Sequence, residues 1–205
     1  MPGVISAGDK HTAAAGAEML KAGGNAVDAA VAAAFASFIA EIGVVHLGGS
    51  GVAQVFRPAN GIDTYDCTTF DFFSTMPGLG SQPGPKDLDF ERVTIDFGPT
   101  TQDFFLGRGS VAVPGNIAGL CTLAESFGQL PLTTILEPAI DLASNSHQLA
   151  PFQADTCELL KPIYTHTHEM RQIFAATGRI IGSGERLFVP DLAETLRSLA
   201  EQGAA

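Results

Sequence analysis

Three features of the chain predict an α/β (α+β) fold. Alanine-rich segments near the N-terminus, bounded by glycines and capping residues, have the composition of helices. Residues 52–56 alternate as a strand and are followed by a turn at 58–61, the pattern of a hairpin. From residue 111 onward, Pro and Gly punctuate a run of helix-like segments. Hydrophobic residues make up 45% of the 205 and charged residues 16%, so one large domain or two small ones can close a core. The 23 glycines point to close backbone approaches and away from a coiled coil.

In chain order, residues 4–7 are short and apolar and read as a strand. Residues 12–22 favour helix, and Gly23-Gly24 supplies a left-handed stop. Asn25, with Asp28 three residues later, makes a cap-like start for a second helix that continues to about Ala40. That helix is apolar nearly all round and should be buried on several sides. After Leu47-Gly48-Gly49-Ser50-Gly51 come the strand at 52–56 and a returning strand at 62–69. Residues 70–105 carry Pro77, Pro83, Pro85, Pro99 and repeated Phe, and read as a long ordered loop with short strands. Helices follow at 116–127, ending at Gly128; at 131–144, with Leu136, Ile140 and Leu142 as core candidates; at 152–175, broken near Pro162; and at 190–202, with Pro190 in its first turn and Asp191 at its positive end. The expected organisation is 1–110 as hairpin, alanine-rich helices and long loop, and 111–205 as a mostly helical lobe, both within one larger domain.

The net charge of −11 makes a phosphate backbone a poor partner, so nucleic acid is not expected. Cys67, Cys121 and Cys157 are far apart and lack metal-ligand spacing, and read as buried free thiols in a reducing compartment. The first residues lack a basic start followed by an apolar run, and the longest apolar stretch, 29–40, is too short to span a bilayer. The expectation is therefore a cytoplasmic protein that neither carries a signal peptide nor enters a membrane.

Four constellations could carry chemistry, and each has a plainer reading. Gly48-Gly49-Ser50-Gly51 could expose N–H groups to an anion, but no Lys follows as a phosphate loop requires, and a tight turn before a strand is preferred. His166, His168 and Glu169 lack a third metal ligand on the same helix face, so a solvated face is preferred and no metal is expected. Ser50, Thr68, Thr69 and Ser110 could pair with His11, His46 or His147, but Val52 stands where a nucleophile elbow needs its last Gly. Cys67 has no adjacent base or cation and reads as a packed strand cysteine.

A longer pattern is more specific. Ala22-Gly23-Gly24-Asn25-Ala26-Val27-Asp28-Ala29-Ala30-Val31-Ala32 resembles the signature near the start of the gamma-glutamyltranspeptidase family. Glu41 and Leu47-Gly48-Gly49-Ser50-Gly51 follow at the family's distance. Val113-Pro114-Gly115 with Ala118-Gly119, Phe127-Gly128-Gln129-Leu130-Pro131, Glu137-Pro138-Ala139-Ile140-Asp141-Leu142-Ala143, and Pro190-Asp191-Leu192-Ala193-Glu194-Thr195-Leu196 with Glu201-Gln202-Gly203-Ala204 resemble later blocks, in family order and across nearly the whole chain.

The resemblance implies part of the αββα sandwich of an N-terminal-nucleophile hydrolase, incomplete in this chain. It implies an autoprocessed heterodimer whose small subunit begins with a Thr that attacks an amide, its own α-amino group acting as base. That Thr lies beyond the stretch matched here, and Thr68-Thr69-Phe70 does not resemble the Thr-Thr-His that begins the small subunit. No catalytic residue is therefore assigned to this chain. The implied partners are the nucleophile-bearing small subunit, the rest of the large subunit and a small-molecule amide; no cofactor is implied. The family places an Arg just after the first hairpin, in an Asp-x-Arg-Glu-type segment, to hold the substrate's α-carboxylate. Here the segment reads Asp66-Cys67-Thr68-Thr69-Phe70, so Thr68 or Thr69 is the expected substrate-binding residue, and an amide other than gamma-glutamyl the expected substrate. The alternatives are a non-catalytic binding or scaffold protein that kept the fold, and an independent serine or cysteine hydrolase.

Overall fold

The computed structural model describes residues 3–58, 65–72, 89–111 and 113–204. Helix α1 (Lys10–Lys21) starts on Asp9, whose carboxylate accepts the His11 N–H at 2.7 Å. It ends in a Schellman motif: Gly23 has φ +92°, and Gly24 N–H reaches back to the Met19 carbonyl at 2.9 Å. Asn25 then opens α2 (Ala26–Ala40) through a complete capping box with Asp28. Ten of the fifteen α2 residues are buried, as an all-apolar helix requires. α1 lies close against it because Gly16 has no side chain: a Cβ there would stand 2.8 Å from the Ala29 carbonyl oxygen.

Strands β1 (Val52–Pro58) and β2 (Tyr65–Asp71) form an antiparallel ribbon that pairs Val55 with Thr68 and Gln54 with Thr69. A second ribbon, β3 (Glu91–Asp96) with β4 (Thr101–Leu106), turns at Gly98, whose N–H is held by Asp96. A 3-10 turn at Arg108–Ser110 leads to α3 (Asn116–Phe127) and α4 (Leu132–Asn145). The remaining elements are β5 (His147–Gln148), α5 (Pro151–Leu159), α6 (Lys161–Tyr164), α7 (His168–Phe174), β6 (Arg186–Leu187), which pairs with β5, and α8 (Pro190–Gln202).

The main core gathers Phe35 and Ile39 of α2, Ile135 and Leu136 of α4, Leu196 of α8, Leu120 of α3 and Val55 of β1. A smaller core under α5 holds Ile42, Leu149, Cys157 and Leu187. Each sheet among the described residues is two strands wide, so these residues alone do not complete the double β layer of an αββα sandwich.

Two expectations need correction. Residues 4–7 form no strand among the described residues, and Ile5 packs on the main core beside the Gly16 notch. The short strands expected within 70–105 are present as the β3–β4 ribbon, while the part from 73 to 88 lies outside the described residues, as do 59–64 of the first hairpin. The segment at 152–175 breaks twice, before Pro162 and again at Thr167, which caps α7 by accepting the Met170 N–H. The helices at α3, α4 and α8 agree with their predicted bounds within a residue or two.

Candidate functional site

The glycine-rich turn, the end of β2 and the start of α3 converge. The Gly49 N–H and the Asn116 side-chain amide both donate to the His46 carbonyl, each at 3.0 Å. The Asn116 N–H donates to the Gly49 carbonyl, and the Phe72 N–H to the Gly51 carbonyl. Gly115 and Gly119 make this approach possible: a Cβ on Gly115 would collide with the Phe72 carbonyl, and one on Gly119 with the Phe72 ring. Residues 47–51 are thus the tight turn before a strand that the sequence favoured, braced by a helix start.

Strand alternation decides where the two threonines point. Thr68 lies on the inner face of the ribbon, half-buried beside Val55 and in line with Phe70 and Phe72, which pack on the core. Thr69 lies on the outer face with Gln54 and is exposed. Both sit within β2, not after it; the position immediately past the hairpin falls at buried Phe72 and the residues that follow. The outer face also carries Val52 and Phe56, both more than half exposed, and Cys67. Cys67 is therefore not the packed thiol expected from sequence. Cys121 and Cys157 are buried, and burial pushes both thiols up to about 11.

The arginines near this region already face carboxylates. Arg57 pairs with Asp66 at 2.7 Å and lies 4.6 Å over the Phe127 ring; Arg92 pairs with Asp103, and Arg108 with Asp89. The Arg108 guanidinium holds the Asp89 carboxyl below the ordinary carboxylate range.

The other constellations do not assemble. His166 faces Glu91 at 3.9 Å, whereas His168 contacts Gln172 on its own helix. Among the described residues no three metal-capable side chains come together. The Ser110 hydroxyl donates to the Gly107 carbonyl. His11 and His147 stack edge to face at 5.9 Å, at the junction of α1 and β5. His147 is buried with neither ring nitrogen hydrogen-bonded among the described residues, and burial, then His11, then Arg186 hold its pKa below 6.5 against the opposing pull of Asp9.

Sequence reasoning missed one link. Asp28 is fully buried, and besides the Asn25 N–H its carboxylate accepts the Gln129 N–H at 2.9 Å and the Leu130 N–H at 3.2 Å. The Asn25 side chain donates to the Phe127 carbonyl at 2.7 Å. Two motifs a hundred residues apart are one structural unit, and the Asn25–Asp28 pair of the first serves to hold it together.

A buried alanine-rich helix, a ribbon entered through a braced glycine turn, and the helices α3, α4 and α8 packed on the same core make up an α+β fold, that of the gamma-glutamyltranspeptidase-type enzymes. The Helicobacter pylori gamma-glutamyltranspeptidase superposes with a TM-score of 0.73 at 24% identity, over 98% of this chain and 55% of that one, a likeness of fold. The chain belongs to the gamma-glutamyltranspeptidase family, whose model matches residues 12–205. It is 31% identical to glutathione hydrolase 3 of Arabidopsis thaliana and 32% identical to an acylase ACY 1 proenzyme of a Pseudomonas species, in each case over 98% of its own length. It spans about a third of those relatives, 29% and 35% respectively. No helix among the described residues is long and apolar enough to cross a membrane.

Proposed function

We propose that this chain is the large-subunit portion of a gamma-glutamyltranspeptidase-like amide hydrolase or acyltransferase. Its Thr nucleophile lies on a segment outside residues 1–205, and its acyl group is not gamma-glutamyl. The observation that carries the specificity reading is the missing guanidinium. An Asp-x-Arg-Glu pattern begun at Asp66 puts Thr68, or Thr69 with a one-residue slip, in the Arg position. Begun at Asp71, nearer the end of β2, it puts Phe73 there. No register supplies an arginine, and Arg57, Arg92 and Arg108 each face an acid. Of the two threonines, exposed Thr69 is the better placed to reach a substrate. Relatives at similar identity include both a glutathione hydrolase and an acylase, so family membership leaves room for either acyl group.

Removing a charge-assisted contact to a desolvated carboxylate costs about 3 kcal/mol, on the order of a hundredfold in discrimination. Assays of the whole protein on gamma-glutamyl-p-nitroanilide and on simple N-acyl p-nitroanilides should therefore favour the latter. Efficient gamma-glutamyl turnover, lost on substituting Arg92 or Arg108, would mean instead that the clamp has moved. Intact-mass analysis should find a companion polypeptide that begins with Thr; its absence, together with inactivity, would favour a scaffold protein. Free thiols suit a reducing compartment, and cell fractionation tests the cytoplasmic assignment.

A further inference from the structure

Strand β1 carries a second polar side chain beside Thr69. Gln54 stands directly opposite Thr69 in the register of the hairpin, and directly opposed residues on one face of a ribbon have Cβ atoms about 5 Å apart. Both residues are exposed, and neither side chain makes a hydrogen bond among the described residues. Their neighbours on the outer face are Val52 and Phe56 along β1, and Cys67 and Asp71 along β2. Val52 and Phe56 are more than half exposed, so hydrocarbon flanks the polar pair. No cation stands among these six residues. Arg57, the nearest in sequence, belongs to the inner face, where it pairs with Asp66 and covers the Phe127 ring.

We infer that Gln54 is a specificity-determining residue, and that with Thr69 it holds an uncharged carboxamide at the end of a short acyl chain. This rests on the placement of the acyl group at Thr69. A glutamine side chain offers an acceptor oxygen and an NH2 donor, and a threonine hydroxyl both donates and accepts. A carboxamide matches that set: its carbonyl accepts from one side chain while its NH2 donates to the other. A carboxylate has no N–H to give and meets no counter-ion on this face. A hydrocarbon end would cover two polar side chains without pairing them. The methylenes behind the carboxamide find apolar surface at Phe56 and Val52.

The experiment compares three p-nitroanilides of nearly equal shape on the whole protein: succinamoyl, succinyl and 4-methylpentanoyl. Succinamoyl should lead both others in kcat/KM by about tenfold, the worth of one well-made hydrogen bond. Gln54→Leu and Thr69→Val should each remove its lead over 4-methylpentanoyl. The double variant should lose little more than either alone, because the two side chains hold one group. Gln54→Arg should reverse the succinamoyl-over-succinyl ratio, a gain that a merely structural role for Gln54 would not produce. If the three acyl groups are turned over in ratios that none of these variants moves, the Gln54 assignment is wrong and the amidase reading stands. The same holds if succinyl or 4-methylpentanoyl leads in the wild type. If only gamma-glutamyl-p-nitroanilide reacts, or no anilide does, the reading of the acyl site fails as well.

Discussion

Replacing Asp28 should unfasten the frame that carries the site. Its carboxylate is fully buried and accepts the N–H groups of Asn25, Gln129 and Leu130. Asp28→Ala strands these three donors, each worth about 1–2 kcal/mol when left unmet. It also removes a negative charge from the first turn of α2, worth roughly 0.3–1 kcal/mol. Part of the loss is recovered if water enters, so a net destabilisation of about 4 kcal/mol is expected. For a folded unit of this size that lowers Tm by roughly 8–16 °C. Asp28→Asn keeps one oxygen but turns an NH2 toward a donor and should lose about 2 kcal/mol. Urea denaturation of the whole protein, with the m-value checked for constancy, gives both numbers. Variants within about 0.5 kcal/mol of wild type, the usual range of a surface substitution, would refute the staple. Asn25→Ala combined with Asp28→Asn should be less than additive, because the two side chains hold the same junction.

Further outcomes follow from other contacts. Gly115→Ala drives a Cβ into the Phe72 carbonyl and should destabilise by about 1–3 kcal/mol while lowering kcat, measured by denaturation and turnover together. His147 has a depressed folded-state pKa. The unfolded chain therefore takes the proton first as pH falls through about 6.5, and stability should decline from pH 7 to 6 and level off below the folded pKa. His147→Phe should flatten that slope, as denaturation at both pH values would reveal. With iodoacetamide at pH 8, Cys121 and Cys157 should stay unmodified in the native protein and react after denaturation. Cys67, exposed on the outer face of the β1–β2 ribbon, should label well before either buried thiol, and labelling no faster than theirs would refute its exposure.

What was legible in the sequence was local. Gly23-Gly24-Asn25 announces a helix stop and a helix start within three residues, because the left-handed φ and the cap are single-residue properties. Gly128 after α3, though extended at φ −72°, and Pro190 in the first turn of α8 also mark their helix ends locally. The bounds and register of ribbon β3–β4 were hidden because its turn, Phe97-Gly98-Pro99-Thr100, carries the same residues that mark irregular loops. Strands β5 and β6 are two residues each and have no periodicity to read. The error at 4–7 has a related cause: a short apolar run reads alike whether it pairs as a strand or packs as a loop, and Ile5 does the second. At the site, the convergence of Gly49, Phe72 and Asn116 depends on contacts between distant segments. Only the glycines that permit it were visible.

The Asp28 contact also constrains the order in which the chain can take shape. Its partners Gln129 and Leu130 lie 101 and 102 residues downstream. During synthesis α2 emerges long before them, with its carboxylate lacking two of its eventual donors and its ten buried residues without most of their final neighbours. At roughly 5–20 residues per second, the interval is on the order of five to twenty seconds. For that time the most apolar helix of the chain is an aggregation hazard on the ribosome. The contact that ends the hazard must first close a loop of a hundred residues, which makes folding slow relative to a bundle with local contacts. Synonymous changes that alter elongation speed between codons 40 and 130 should consequently alter soluble yield without altering the folded protein.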